Sequence, residues 1–240
     1  LQRRASVDGA DARIAAAKGL IAAGIDSAQD INALTAAMRE RGVRQHGRQT
    51  ALIWGDVSDQ EGRARVGITT ALHETEEREV IDLARSAAAE KPRSLTTKEI
   101  ETAIKAHPDL DFTSEHGKAQ REMMTHLAQT GNLAIGIGVA GSGKTTLLTP
   151  LVTAWQKQGR DVHGIALAWR QSDDLAGTGM NVSKTRAIES FLRRIEGGKL
   201  KLSKKSVVVV DELSLLGTRQ LLDLLRTREK YGFQLVAIGD

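Results

Sequence analysis

The chain has 240 residues, a formal net charge of +4 and no cysteine. That length leaves room for one large or two small domains with a real core, and the lack of cysteine excludes disulfides, thiolate metal sites and cysteine nucleophiles. Aromatic residues make up 3% of the chain, too few for a base-stacking platform rich in Phe and Tyr, and no run reads as a membrane span or a signal peptide.

Along residues 1–112 the pattern is mostly helical. "DARIAAAKGLIAAG" and "INALTAAMRERG" are alanine-rich and each ends in glycine, a common helix stop. A strand-like pair follows, "TALIW" and "RVGITT", split by the polar turn "GDVSDQEG". In "ALHETEEREVIDLARSAAAEKP" the residues Leu72, Val80, Leu83 and Ala87 approximate one helical face, stopped by Pro92. "LTTKEIETAIKAHP" carries a capping box, with Thr96 three residues ahead of Glu99.

From 113 to 240 the rhythm changes. A helix from about Ser114 to Thr130 places Ala119, Met123 and Leu127 on one face. Four β-rich runs then alternate with helices: "LAIGI", "VHGIAL", "VVVV" and "FQLVAI". Runs apolar on both faces and separated by helix-length segments predict an α/β fold, a parallel sheet with helices on each side. The chain begins with Leu1 and ends on the strand-like "FQLVAIGD", so the expectation is a piece of something longer.

Gly138–Thr145, "GVAGSGKT", matches the phosphate-loop pattern between a predicted strand and a predicted helix. Glycines there let successive N–H groups of Gly138, Val139, Ala140, Gly141, Ser142 and Gly143 ring a phosphate, at the positive end of the helix dipole. Lys144 supplies a charge for the β- and γ-phosphates, Thr145 a hydroxyl for the bridging Mg²⁺, and Thr146 completes the candidate nucleotide-binding set. The implied ligands are ATP and Mg²⁺. Pro150, two turns into that helix, predicts a bend that leaves the first turn intact.

"SVVVVDELSLLG" supplies the second half of the site. A strand ending in Asp211 points a carboxylate at the Mg²⁺ shell, and Glu212 can deprotonate the attacking water. Between the two motifs "IALAWRQSDDL" carries Trp169 and Arg170 at a strand end. A basic run follows with Lys184, Arg186, Arg193, Arg194, Lys199, Lys201, Lys204 and Lys205. Two readings are open for it, a solvated face or a surface for the phosphates of a single strand; Trp169 is likewise a packed strand-end residue or a stacking platform. The six histidines are scattered, without the spacing of a metal site.

Taken together, Gln120, "GVAGSGKTTLL", "ALAWRQSDDL", "TGMNVSKTRAIESFL", "VVVVDELSLLGTRQLLDLL" and "LVAIGD" resemble the first RecA-like domain of RecD-like superfamily 1 DNA helicases. Among these, the helicase regions of conjugative relaxase–helicases are most similar. The resemblance covers roughly 66–240. It implies a RecA-like P-loop NTPase that hydrolyses ATP to move along single-stranded DNA, in a bacterial cytoplasm and without a membrane anchor. Gln120 would read the adenine edge. Arg170 and Thr185 would fall on strand-contacting motifs, with Lys184 and Trp169 beside them. Gly239 and Asp240 would open a "GDxxQ" motif whose glutamine lies past Asp240. A second RecA-like domain with its arginine finger would then be needed, and other conjugation proteins are possible partners. By itself this stretch would bind ATP with little hydrolysis. The motif usually close to "APTGRAA" reads "ALAWRQSDD" here, a departure at the expected strand contacts. The histidine triad and catalytic tyrosines of relaxase chemistry are absent, Tyr231 being the one tyrosine. Two other readings are a different P-loop ATPase, AAA-type or a small kinase, and a helicase-like scaffold that binds the strand without hydrolysis.

Overall fold

The computed structural model describes residues 7–24, 26–58, 64–91, 94–138, 143–167, 173 and 175–239. The chain divides into two units, 1–79 and 80–240.

The first unit holds β1 (Val7–Asp8), α1 (Gly9–Ala23), α2 (Ala28–Arg41), β2 (Val43–Gln45), β3 (Arg48–Thr50), β4 (Leu52–Ser58), β5 (Ala64–Thr70) and the start of α3 (Ala71–Ala89). Asp8 caps α1 by accepting from the Asp11 N–H at 2.8 Å, and Ser27 with Asp30 forms a capping box on α2. β4 and β5 pair antiparallel from Leu52↔Thr70 to Ser58↔Ala64, as the two apolar runs predict. β1 extends the sheet to the order β1-β5-β4. To the expected helices the structure adds the β2–β3 hairpin. Its strands, VRQ and RQT, are polar and lack the apolar alternation that marks a strand in sequence.

After the rest of α3, the second unit runs α4 (Thr97–Lys105), α5 (Glu115–Gln129), β6 (Leu133–Ile137), α6 (Lys144–Lys157), β7 (Asp161–Ala166), β8 (Thr185–Ala187), α7 (Ile188–Glu196), β9 (Ser206–Val210), α8 (Thr218–Tyr231) and β10 (Gln234–Gly239). The five strands form one parallel sheet in the order β6-β10-β9-β7-β8. β8 is three residues long and sits at an edge, inside what the sequence presents only as a basic run. The Thr96–Glu99 capping box opens α4 as expected, and α6 continues through Pro150.

The valine-rich strands are buried along their whole length because each face meets its own core. On one side Val207, Val209, Val236 and Ile238 pack with Met124 and Leu127 of α5 and Leu148, Leu151 and Trp155 of α6. On the other, Val208, Val210, Leu235 and Ala237 pack with Phe191 of α7, Leu224 and Leu225 of α8 and Ala87 of α3. Each fully buried Val or Leu contributes about 1.5–3 kcal/mol relative to exposure. This is the α/β layer architecture that the alternating runs predict.

At the amino ends of the strands, charges close on one another. Arg228, 2% exposed, donates to both carboxylate oxygens of Glu90, one of them at 2.8 Å, and through Nε to the Phe233 carbonyl at 3.2 Å. Asn132 donates to the same carboxylate at 2.8 Å. The Arg228 guanidinium, then the Asn132 amide, hold the Glu90 carboxyl down at about 2. Nearby in the sheet, Arg160 donates to Gln234 Oε1 at 2.6 Å.

Candidate nucleotide site at the carboxyl edge of the sheet

β6 delivers the chain to the carboxyl edge, where the Gly138 N–H donates to the Gly239 carbonyl at 3.1 Å. Val139, Ala140, Gly141 and Ser142 lie outside the described residues, as do the side chains of Lys144 and Thr145. At Gly143 the backbone has φ 69° and ψ 29°, the left-handed region, and this residue is the N-cap of α6. A side chain there would be strained, and its Cβ would collide with the Gln120 amide nitrogen. So glycine is favoured where the loop turns into the helix, and Gln120 is brought against that turn. Thr146 is exposed in the first turn of α6. The N–H groups of that turn have no intrahelical acceptor, which makes it an anion site once a phosphate is present.

Two strands away, Asp211 directly follows the last residue of β9. Its N–H donates to the Ile165 carbonyl at 3.0 Å, and its Oδ1 accepts from the Glu212 N–H at 3.0 Å. Asp211 is 8% exposed. Glu212 sits at φ 58° and ψ 49°, a left-handed conformation that costs a residue with a Cβ about 1–2 kcal/mol. The 3-10 turn Leu213–Leu215 follows and seats itself over the end of β10: a Cβ on Gly239 would stand 3.3 Å from the Leu213 nitrogen. Through β10, the turn carrying the two carboxylates is therefore tied to the strand that carries the loop.

Among the described residues no three His, Asp or Glu side chains gather as a metal cage. A site offering one or two carboxylates suits Mg²⁺, which keeps waters and takes its other ligands from substrate phosphates. The donor set at Asp211 fits that ion.

Of the expected strand contacts, Lys184 and Thr185 are placed apart from this site. Trp169 and Arg170 lie outside the described residues. Lys184 forms an ion pair with Asp161, and Thr185, 5% exposed, donates its hydroxyl to the Val182 carbonyl at 3.1 Å. Thr185 opens β8, the edge of the sheet opposite β6. Of the basic run, Arg193, Arg194, Lys199, Lys201, Lys204 and Lys205 are exposed, while Arg186 is half-buried with Arg194 near it. His163 is buried, which pushes its pKa down despite its hydrogen bond to Asp161 at 2.8 Å.

One residue beside the site was not singled out from sequence. His116 shares a 3.2 Å hydrogen bond with Gln120 one turn along α5, which holds the amide toward Gly143. The i, i+4 spacing of the two was the available signal.

Residues 115–240 match a family model described as an AAA domain. The probable conjugal transfer protein TraA of Sinorhizobium fredii (strain NBRC 101917 / NGR234) is 33% identical over 130 residues, which is 53% of this chain and 12% of that protein. The conjugal transfer protein TraA of Rhizobium radiobacter is 30% identical over 121 residues, 50% of this chain and 11% of its own length. Its namesake in Agrobacterium fabrum (strain C58 / ATCC 33970) is 30% identical over 131 residues, 52% of this chain and 12% of that protein. The chain thus spans about an eighth of the length of these curated relatives. No helix among the described residues is long and apolar enough to cross a membrane. With Gln120, the phosphate loop, Asp211 and Glu212 all inside the matched span, the chain belongs to the AAA domain family.

Proposed function

We propose that the chain is the ATP-binding motor domain of a DNA helicase and translocase acting in conjugative plasmid transfer in the bacterial cytoplasm. The observation that carries the reading is the carboxyl edge of the sheet. There Gly143 turns the loop into α6 against Gln120, and the Asp211–Glu212 turn is seated on the neighbouring strand. The relatives named as conjugal transfer proteins support the biological setting.

In this reading the first turn of α6 and the loop N–H groups bind the phosphates of ATP, and Lys144 adds its charge. Gln120, oriented by His116, reads the adenine edge. Thr145 and Asp211 would hold Mg²⁺, which would supply positive charge to the phosphates when bound. Glu212 accepts a proton from the attacking water. A second motor domain closes on the nucleotide and supplies an arginine, worth about 10³–10⁵ in rate. Closure and opening then move a single strand. Trp169 and Arg170 are the proposed strand contacts; Lys184 would exchange Asp161 for a phosphate, and buried Thr185 would fix β8 beside it.

The test is ATP hydrolysis with and without oligo(dT), in a protein that includes the second motor domain, beside Lys144→Ala. Hydrolysis stimulated by the strand and abolished by the substitution is expected. Hydrolysis indifferent to the strand would move the chain to another class of P-loop ATPase. Tight strand binding without hydrolysis would make it a scaffold.

A further inference from the structure

The first unit carries a second charged feature, independent of the nucleotide site. Residues 1–79 hold eleven Lys and Arg against twelve Asp and Glu, so the unit is close to neutral. The charges are nevertheless segregated. Between 39 and 48, "RERGVRQHGR", stand Arg39, Arg41, Arg44 and Arg48 with His46, against Glu40 alone. This stretch is the end of α2 and the β2–β3 hairpin.

The hairpin is fixed rather than loose. Gly42, at φ 74°, ends α2 so close to β3 that a Cβ there would collide with the Thr50 carbonyl. Gln49 donates to the Arg41 carbonyl at 2.5 Å, which ties β3 to the last turn of the helix. Gln45 bonds to the Thr70 hydroxyl, and Thr50 accepts from the Leu72 N–H at 3.0 Å. His46 and Gly47 turn the hairpin with φ of 51° and 77°, the left-handed pair of a two-residue loop. The strand pairing puts Val43, Gln45, Arg48 and Thr50 on the held face and Arg44 with Gln49 on the other, the face from which Gln49 reaches the end of α2.

Arg39, Arg41, Arg44, His46 and Arg48 are all exposed, and no carboxylate among the described residues pairs with them. Arg39 instead lies over the Trp54 ring at 4.9 Å. Holding like charges together on a rigid element costs free energy unless an anion answers them. All four strong cations are arginines, whose planar fork matches a phosphate in two hydrogen bonds, where lysine offers a point charge. The exposed residues of the hairpin are polar, so it has no apolar wedge to enter a bilayer.

We infer that the α2 end and the β2–β3 hairpin form a nucleic-acid site, in which Arg41 and Arg44, on the side that Gln49 ties together, bind backbone phosphates of a strand outside the nucleotide site. Phosphate contacts of this kind position a strand without reading its sequence. The site goes beyond the proposed motor and does not depend on hydrolysis.

The experiment is fluorescence anisotropy of labelled oligo(dT) over a salt series, with the wild-type chain and Arg41→Gln/Arg44→Gln. Both residues are exposed, so an unchanged thermal midpoint and unchanged binding of an ATP analogue serve as controls for the fold. Losing two phosphate contacts should lower the slope of log affinity against log salt by about 1.4 and weaken binding about tenfold at low salt. An unchanged slope and affinity would overturn the site. Binding of wild type to phosphatidylserine vesicles but not to oligo(dT) would overturn it as well. If the double variant loses strand binding while hydrolysis proves indifferent to the strand in wild type, the hairpin site stands and the motor reading falls. If the variant binds normally and hydrolysis is strand-stimulated, the reverse holds.

Discussion

The two edges of the parallel sheet are built on opposite rules. At the amino edge charges end on protein partners: Glu90 on Arg228 and Asn132, Arg160 on Gln234, Asp161 on Lys184 and His163. The carboxyl edge instead gathers the phosphate loop, two adjacent carboxylates and, at Glu212, a residue with a side chain held in the left-handed region. Closed ion pairs hold strand ends in place. Strained backbone lowers stability and persists where the surroundings fix it, a signature of sites shaped for a ligand. The amino edge thus serves the fold, and the carboxyl edge carries the features on which the proposed chemistry rests.

The largest expected effect separates activity from stability at the carboxyl edge. In a protein that includes the second motor domain, Glu212→Asn should cut ATP hydrolysis about 10²–10⁴-fold, the scale of a lost general base. Because Asn tolerates the left-handed region, the same change should leave the thermal midpoint unaltered or raise stability by up to about 1 kcal/mol. A matching loss of stability would break the comparison.

The amino edge should behave in reverse. Arg228→Met should destabilise the fold by about 2–3 kcal/mol in urea titrations and leave affinity for an ATP analogue unchanged. Glu90→Gln should cost less, about 1 kcal/mol, because the Glu90 side chain is 46% exposed and its ion pair is screened. Its pH dependence has a defined sign. The folded-state pKa lies at about 2, below the ordinary value of 4.5. The stabilisation is therefore present above pH 4.5 and is lost as pH falls toward 2, so wild type and Glu90→Gln should converge across that window on acid titration. The smallest effect belongs to Lys184→Ala. Its half-exposed pair with Asp161 is worth about 0.5 kcal/mol or less. A clear loss of strand affinity in that variant, out of proportion to stability, would mark Lys184 as a phosphate contact.

Much of the carboxyl edge was legible from sequence because the chemistry there is local. "GVAGSGKT" and "VVVVDE" put the required residue types side by side, and alternating apolar runs dictate a sheet that delivers both to one edge. The amino edge was not legible. Glu90 and Arg228 are 138 positions apart, and nothing in either neighbourhood names the other. The β2–β3 hairpin and β8 escaped for a different reason: three-residue strands carry too little periodicity to register. Glu212 shows both sides of this. Its identity was readable beside Asp211, whereas its left-handed backbone follows from the turn packed on β10.

The measurement that bears most directly on the two-edge account is amide hydrogen exchange of the chain with and without a non-hydrolysable ATP analogue and Mg²⁺. The account predicts added protection at the carboxyl edge, over Gly138, the first turn of α6 and residues 211–216, with the amino-edge residues Arg160, Ser206 and Gln234 unchanged. Protection centred on the amino edge, or none at the start of α6, would contradict it.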